Sequence, residues 1–510
     1  MAEHRETEPG DDPASEDARL LRGLGYTQEL DRKLGGFSNF ALSFSFICIL
    51  SGGVTSFHLG FCGVGGASIG LGWPLVALFA MAVAATMAQV ASAFPTAGGL
   101  YHWSSMLGGR GWGWATAWLN LAGLVTAIAA VNVGLWEFAV GSVALPAGSR
   151  PGLVRLLGSP PGQAVAVGLI TASQGWWNYR GIGVTSRLTD LSGYLIVAVT
   201  LGLTASMLAF APTLHPARLV TFSNFSGPAG GGVWPETGGV ARLFALGLML
   251  PLYTLTGYDA SAHAAEETMG AARVVPLAMV RSVAVSGLGG WLMLATVVTA
   301  VPDTATLAAQ GGRAFPWALK AVLPAGLAAA LDAGIVAAMY GCGVGAVTSA
   351  SRMAFAFARD GGLPFSAALR RIDPVTQAPA AAVWAVAGAA WLFTVWTPFY
   401  STITAVCTIF LYLSYVLPTA LGALAFGRTW KRMGPWDLGR AYRPLAAVSV
   451  LGCLGLTAVA VQPPNALSGW VVGGSLAALA AVWFGGVRRR FAGPPVSSAA
   501  WGIDAPDGPS

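Results

Sequence analysis

Residues 37–60 read FSNFALSFSFICILSGGVTSFHLG, a run that is apolar up to Leu50 and then meets Ser51-Gly52-Gly53-Val54-Thr55-Ser56 before resuming. It is long enough to cross a hydrocarbon core, which takes about 20 residues of helix. A Gly-Gly pair inside such a helix releases backbone groups that lipid cannot satisfy, so a break belongs where it lines a cavity or is buried in protein. Residues 240–264 hold a matching interruption, Thr254-Leu255-Thr256-Gly257-Tyr258-Asp259. Glycine also serves as a packing surface in membrane helices, and the chain has 68 of them. Two breaks at corresponding places, each with small hydroxyl residues, favour a binding site over packing. They are the pattern of an inverted-repeat transporter with its site at the bilayer midplane.

The rest of the chain agrees with a membrane setting. Its 510 residues are 55% hydrophobic and only 10% charged, whereas a soluble domain carries about a quarter charged residues. Leu191–Ala211, Ser282–Val301, Ala380–Trp396 and Trp470–Gly486 are further apolar runs of spanning length. Twelve spans are predicted, near 37–60, 72–94, 112–141, 162–178, 190–211, 240–264, 276–301, 327–355, 378–397, 401–427, 443–461 and 467–487. The polar stretches 1–30 and 491–510 read as disordered tails, and the first has no apolar segment of the kind a cleaved signal peptide needs.

Charge orients the spans. Of the 28 Lys and Arg, all but Arg150, Arg155, Arg218, Arg242, Arg313 and Lys320 fall on the side that carries the N-terminus. Positively charged loops stay in the cytoplasm, which predicts an even number of spans in the plasma (inner) membrane with both termini inside. The net charge of +6 is thus a topology signal, and no basic stripe with interleaved aromatics suggests nucleic acid. Cys48, Cys62, Cys342, Cys407 and Cys453 lie in or beside apolar runs without zinc spacing and read as packing residues. No metal or cofactor is expected. No nucleotide loop or nucleophile–base pair indicates an enzyme, and no repeated pore segment or charged ring indicates a channel.

The two breaks suggest a ligand. A half-helix starting near Gly53 would aim free N–H groups at the midplane, suiting a carboxylate. Carbonyls left open near Thr254 and Thr256 would suit an ammonium. An amino acid carries both charges. Asp259, an ionisable residue at mid-membrane, is a functional candidate by position. It could meet the substrate ammonium, hold a coupling proton, or cap the following half-helix.

Three stretches carry a family resemblance. Phe94-Pro95-Thr96-Ala97-Gly98-Gly99-Leu100-Tyr101-His102-Trp103, after the second span, resembles the signature loop of amino-acid permeases. Thr256-Gly257-Tyr258-Asp259-Ala260, with His263 and Glu266-Glu267-Thr268, is similar to the sixth-helix motif of the amino acid/choline branch. Ser351-Arg352 with Ala358-Arg359-Asp360-Gly361-Gly362-Leu363-Pro364 is similar to the motif that ends that family's eighth helix. The resemblance covers residues 24–487 and implies the amino acid–polyamine–organocation superfamily. It implies an all-α membrane fold of about twelve helices, a five-plus-five inverted repeat with helices 1 and 6 broken, and two extra helices.

The chain then divides into a cytoplasmic tail (1–36), a first repeat (37–211), an extracellular loop (212–239), a second repeat (240–427), two further spans (428–487) and a second tail (488–510). The resemblance places substrate contacts at Ser51, Gly52, Gly53, Val54 and Thr55, and from Thr254 through Asp259. It implies transport driven by protons or by exchange. Gln89 stands where many relatives carry glutamate, and Leu191–Ala211 contains no Lys or His, where relatives can place a basic residue near a coupling ion.

Other residues read as follows. Tyr253 and Tyr258 flank the second break as a lid, as a cage for a quaternary ammonium, or as core. Glu266, Glu267 and Arg273, with Arg352, Arg359 and Asp360, sit at the cytoplasmic ends of the sixth and eighth spans, where ion pairs among them could hold an inner gate shut or the arginines could be positive-inside charges with solvated partners. Leu24–Leu34 packs beneath the first half-helix as part of that gate. Asp332 reads as a helix-start charge, Glu137 as a snorkelling side chain, and His58 as packing. Trp103, Trp112, Trp114 and Trp118 form an interfacial belt. The expected activity is secondary transport of an amino acid or related amine such as γ-aminobutyrate. The alternatives are a choline-type carrier and a substrate sensor on the same fold.

Overall fold

The computed structural model describes residues 13–142, 152, 156–397, 400–462 and 465–495. Among these residues every long element is helical. Nine of the described helices are long and apolar enough to cross a membrane, and Val240–Thr254 and Ala380–Trp396 are shorter apolar ones. The predicted fourth span, Pro160–Tyr179, is less apolar because it buries Gln163, Gln174 and Asn178. Asn132 and Gln174 exchange two amide hydrogen bonds at 2.8 Å, and Thr348 donates to Asn178 at 2.8 Å. This ladder ties spans 3, 4 and 8 in a setting without water to compete.

In order the spans are Gly36–Val64, Ser68–Ala93, Arg110–Ser142, Pro160–Tyr179, Ile182–Phe210, the broken sixth, Ala271–Ala300, Ala325–Arg359, Ala380–Trp396, Tyr400–Ala425, Tyr442–Ala460 and one beginning at Ala466. Spans 2 and 7, 3 and 8, and 4 and 9 pack directly on one another. The contact of span 3 with span 10 is mirrored by that of span 8 with span 5. Two five-helix halves related by a twofold axis require this pairing. Spans 11 and 12 lie outside this body, with Leu451 71% and Trp470 80% exposed. Such faces need a hydrocarbon solvent.

Four expectations are corrected. Residues 13–30 are ordered: Pro13–Gly23 is helical, and Leu21, Leu24, Tyr26, Leu30 and Leu34 are buried. Apolar side chains spaced along a polar stretch found a protein surface to cover, and Asp17 fixes them by accepting from the Gly270 N–H at 2.7 Å and pairing with Arg32 at 3.1 Å. Phe491, read as tail, is buried and accepts from Arg110 at 3.1 Å; residues 1–12 and 496–510 lie outside the described residues. The signature stretch is a tight turn followed by a helix, Leu100–Gly108. Of the tryptophans read as a belt only Trp112 is strongly exposed, while Trp103 and Trp114 are core.

Candidate substrate site and gates

The first span breaks one turn earlier than its glycines suggest. Helix Gly36–Ile47 ends at Cys48, which takes a left-handed φ of 31°, and helix resumes at Gly52–Thr55. The N–H groups of Ser51 and Gly52 bond to the Cys48 carbonyl at 2.7 and 3.1 Å, and that of Gly53 to Ile49 at 3.0 Å. The N–H groups of Ser51, Gly52 and Gly53 itself are therefore consumed by the turn that precedes them.

In the sixth span Pro251 cannot donate to the Gly247 carbonyl, and the helix is already stepped there, as Val240–Gly247 and Met249–Thr254. It stops at Thr254, Gly257 sits at φ 90°, and only the short turns Ala260–His263 and Ala265–Glu267 follow among the described residues before span 7. Among the described residues the carbonyls of Thr254, Leu255 and Thr256 accept no hydrogen bond. The hydroxyls of Thr254 and Thr256 turn back onto Leu250 and Tyr253 carbonyls at 2.7 and 2.8 Å.

The breaks touch: a Cβ on Gly52 would lie 2.7 Å from the Thr254 Cα. Between them is a cavity of about 20 Å³, lined by Phe46, Ile47, Ser51, Gly52, Ala127, Val131, Tyr253, Thr256, Cys342 and Cys407. That is room for about one water, so the central site is closed. Directly against it the Tyr400 hydroxyl bonds to Thr55 and, at 3.3 Å, to Ser56, and the Tyr400 and Tyr253 rings meet edge-on at 6.3 Å. Past this lid a vestibule of about 440 Å³ leads to the face opposite the termini, lined among others by Val54, Thr55, His58, Glu137 and Arg313.

The face that carries the termini is closed by charge. Arg352 grips Glu267 with two bonds of 3.0 and 3.1 Å, both side chains buried. Arg359 grips Glu266 with bonds of 3.0 and 2.8 Å, and its guanidinium lies 4.0 Å from the Tyr26 ring centroid. The Asp360 Oδ2 accepts from Tyr26 at 2.7 Å, Tyr101 at 2.9 Å and His102 at 3.2 Å. Burial pushes the Asp360 carboxyl up, but the His102 and Tyr26 hydrogen bonds and the Arg359 charge outweigh it and hold it below the usual carboxylate range. The Lys33 and Leu34 N–H groups bond to the Glu267 carbonyl at 3.0 and 2.8 Å, so the N-terminal segment lies over these ion pairs.

Beyond this geometry, the amino acid permease profile matches residues 34–485. The amino-acid permease BAT1 of Arabidopsis thaliana is 32% identical over 93% of this chain and 95% of its own length. The chain belongs to the amino acid permease family. It is a multi-pass membrane transporter, not an enzyme. The GABA-specific permease of Saccharomyces cerevisiae is 26% identical over 84% of this permease and 76% of itself. The putative polyamine transporter of Candida albicans is 25% identical over 85% and 79%.

Within this permease the predicted residues separate into layers. Ser51, Gly52, Tyr253 and Thr256 line the central cavity, while Val54 and Thr55 line the vestibule. Tyr258 lies off the cavity against Tyr415, so Tyr253 and Tyr258 do not form one aromatic cage. Asp259 also lies off it, and its side chain caps no helix. Instead it accepts from Asn120 at 3.0 Å and Tyr415 at 2.8 Å. Arg273 is exposed and makes no ion pair among the described residues, unlike Arg352, Arg359 and the two glutamates. Arg273→Ala is accordingly expected to leave uptake within about twofold, as an unpaired surface charge contributes little.

Gln89 donates to Asp437 at 2.7 Å and accepts from the Leu438 N–H at 2.6 Å, tying span 2 to the loop before span 11. Asp332 is fully buried, and neither of its oxygens meets a partner among the described residues. Of the residues that sequence missed, Tyr400 and Cys407 come from span 10, which carries none of the motifs, while Phe46 and Cys342 lie on spans 1 and 8 within a few turns of them. His58 and Glu137, read as packing and surface, share the vestibule wall.

Proposed function

We propose that this permease carries an amino acid or a related amine such as γ-aminobutyrate across the plasma membrane by alternating access, driven by a proton gradient or by exchange. The observation that carries the reading is the closed pocket between two touching helix breaks, with a vestibule on one side and buried ion pairs sealing the other. A site that opens to each face in turn needs two such barriers. The unpartnered carbonyls of Thr254, Leu255 and Thr256 support recognition of the ammonium. A carboxylate would be received on the first-span side, near Ser51 and Gly52, once that break rearranges. Positive charge concentrated on the terminal face supports a cytoplasmic assignment for it, and with it an outward-facing vestibule. The names of the yeast and fungal relatives, one GABA-specific and one a putative polyamine transporter, support an amine-bearing substrate.

Purified protein in liposomes is the test, with labelled γ-aminobutyrate, alanine, glutamate, lysine and choline offered with and without an imposed pH gradient. Saturable uptake of one of these compounds is the expected result. Tight binding without movement under any condition would replace the carrier reading by a sensor.

A further inference from the structure

We propose that the buried Asp259–His263 pair is the site that takes up and releases the coupling proton. The inference rests on the gradient-driven form of the function above. Both side chains are fully buried one helical turn apart, with Asp259 Oδ2 3.3 Å from His263 Nε2. The other ring nitrogen, Nδ1, faces the Ala97 carbonyl at 3.4 Å. A carbonyl only accepts, and so does an ionised carboxylate, whereas a neutral imidazole carries one N–H. The arrangement is complete only with a second proton between Nε2 and Oδ2, as imidazolium with carboxylate or imidazole with carboxylic acid. Once that proton leaves, a lone pair faces either the carboxylate or the Ala97 carbonyl, and the buried negative charge is left to neutral donors, Asn120 and Tyr415 among them, with no cation beside it.

The pair is wired to both moving parts. Tyr415 donates to Asp259 Oδ1 at 2.8 Å and accepts from the Gly257 N–H at 3.2 Å, which is the sixth-span break itself. Ala97, whose carbonyl faces His263, gives its N–H to Glu266 of the ion-pair gate at 3.2 Å. Loss of the proton therefore disturbs the break and the gate together.

The other ionisable groups near the pair are already engaged or carry no charge. Glu266 and Glu267 are held by Arg359 and Arg352 of span 8. Asp360 is held by His102, Tyr26 and Tyr101. Tyr415 and Cys407 come from span 10, and Tyr258 adjoins on the break. Helix Gly36–Ile47, packed alongside, contains no ionisable residue, and span 7 contributes only Arg273 and Arg281, both exposed. The step is a proton transfer alone: one proton binds between Nε2 and Oδ2 from water on one side and is returned to water on the other.

The test uses His263→Gln and Asp259→Asn of the full chain in liposomes, with the labelled compounds of the screen above. Three readouts are taken: accumulation driven by a pH gradient, substrate-evoked proton flux from a lumenal pH dye, and counterflow exchange at equal pH. Both variants are expected to lose accumulation and proton flux roughly tenfold or more while counterflow stays within about threefold of wild type. Undiminished accumulation and flux in the variants would overturn the proposal. So would loss of counterflow in step with accumulation, which marks a structural role. Wild-type counterflow with no response to a pH gradient would overturn it while leaving the carrier reading intact. Absence of any wild-type uptake or counterflow would remove that reading and the proposal together.

Discussion

Alanine at Gly52 is expected to cut uptake at least about tenfold, while alanine at Gly53 leaves it within about twofold. The two residues are adjacent and look equivalent in the sequence. The added Cβ at Gly52 would lie 2.7 Å from Thr254 Cα and 2.8 Å from its hydroxyl. The first of these is backbone of the opposite break and cannot rotate away. At Gly53 the nearest atoms are the Leu294 Cδ1 and Trp73 ring, both at 3.7 Å, which is ordinary contact. Overpacking a buried contact costs about 1–3 kcal/mol, and at Gly52 that cost falls on the juncture the two half-helices share. Initial uptake rates of the two variants, normalised to the amount of folded protein recovered, decide the matter. Equal losses at both positions would mean that the breaks do not meet as described.

Arg352→Ala is expected to be the most damaging single change. It strips the partner from Glu267, whose side chain is 1% exposed, and leaves a buried carboxylate without its bidentate cation. Removing one member of a buried ion pair costs about 3–5 kcal/mol. The protein should be recovered poorly, melt earlier in detergent and show uptake reduced roughly a hundredfold or more. Arg352→Met combined with Glu267→Leu removes both charges and fills the space with apolar atoms, and should restore most of the thermal stability. The double variant should still transport poorly, since the gate would then lack the charges whose separation opens it. An Arg352→Ala protein as stable and active as wild type would rule out a structural and gating role for the pair.

The ion-pair layer on the face that carries the termini is partly legible in the sequence because its acids and bases sit in recognisable motifs at helix ends. Which base meets which acid is not. Arg273 lies only a few residues beyond Glu267, yet it points to the surface, and Arg352, 85 residues away, makes the bond. Among the described residues Asp360 joins no arginine in a direct pair and is instead the meeting point of Tyr26, Tyr101 and His102. The N-terminal stretch read as disordered from its polar composition, although a few apolar residues in it are enough to dock on a surface that only the assembled bundle presents.

Sequence alone determined the spans, the positions of the two breaks to within a turn, and the asymmetry of positive charge. Each of these follows from local transfer energies: apolar runs leave water, arginines stay in it, and glycines interrupt helices. The tertiary structure decided what faces the site. Tyr400, Cys342 and Cys407 reach the centre, Gly53 loses its free N–H, and Tyr258 and Asp259 turn away, because helix rotation and the packing of distant spans fix those directions. No local preference in the chain encodes a helix's angle about its own axis when apolar residues surround it on all sides.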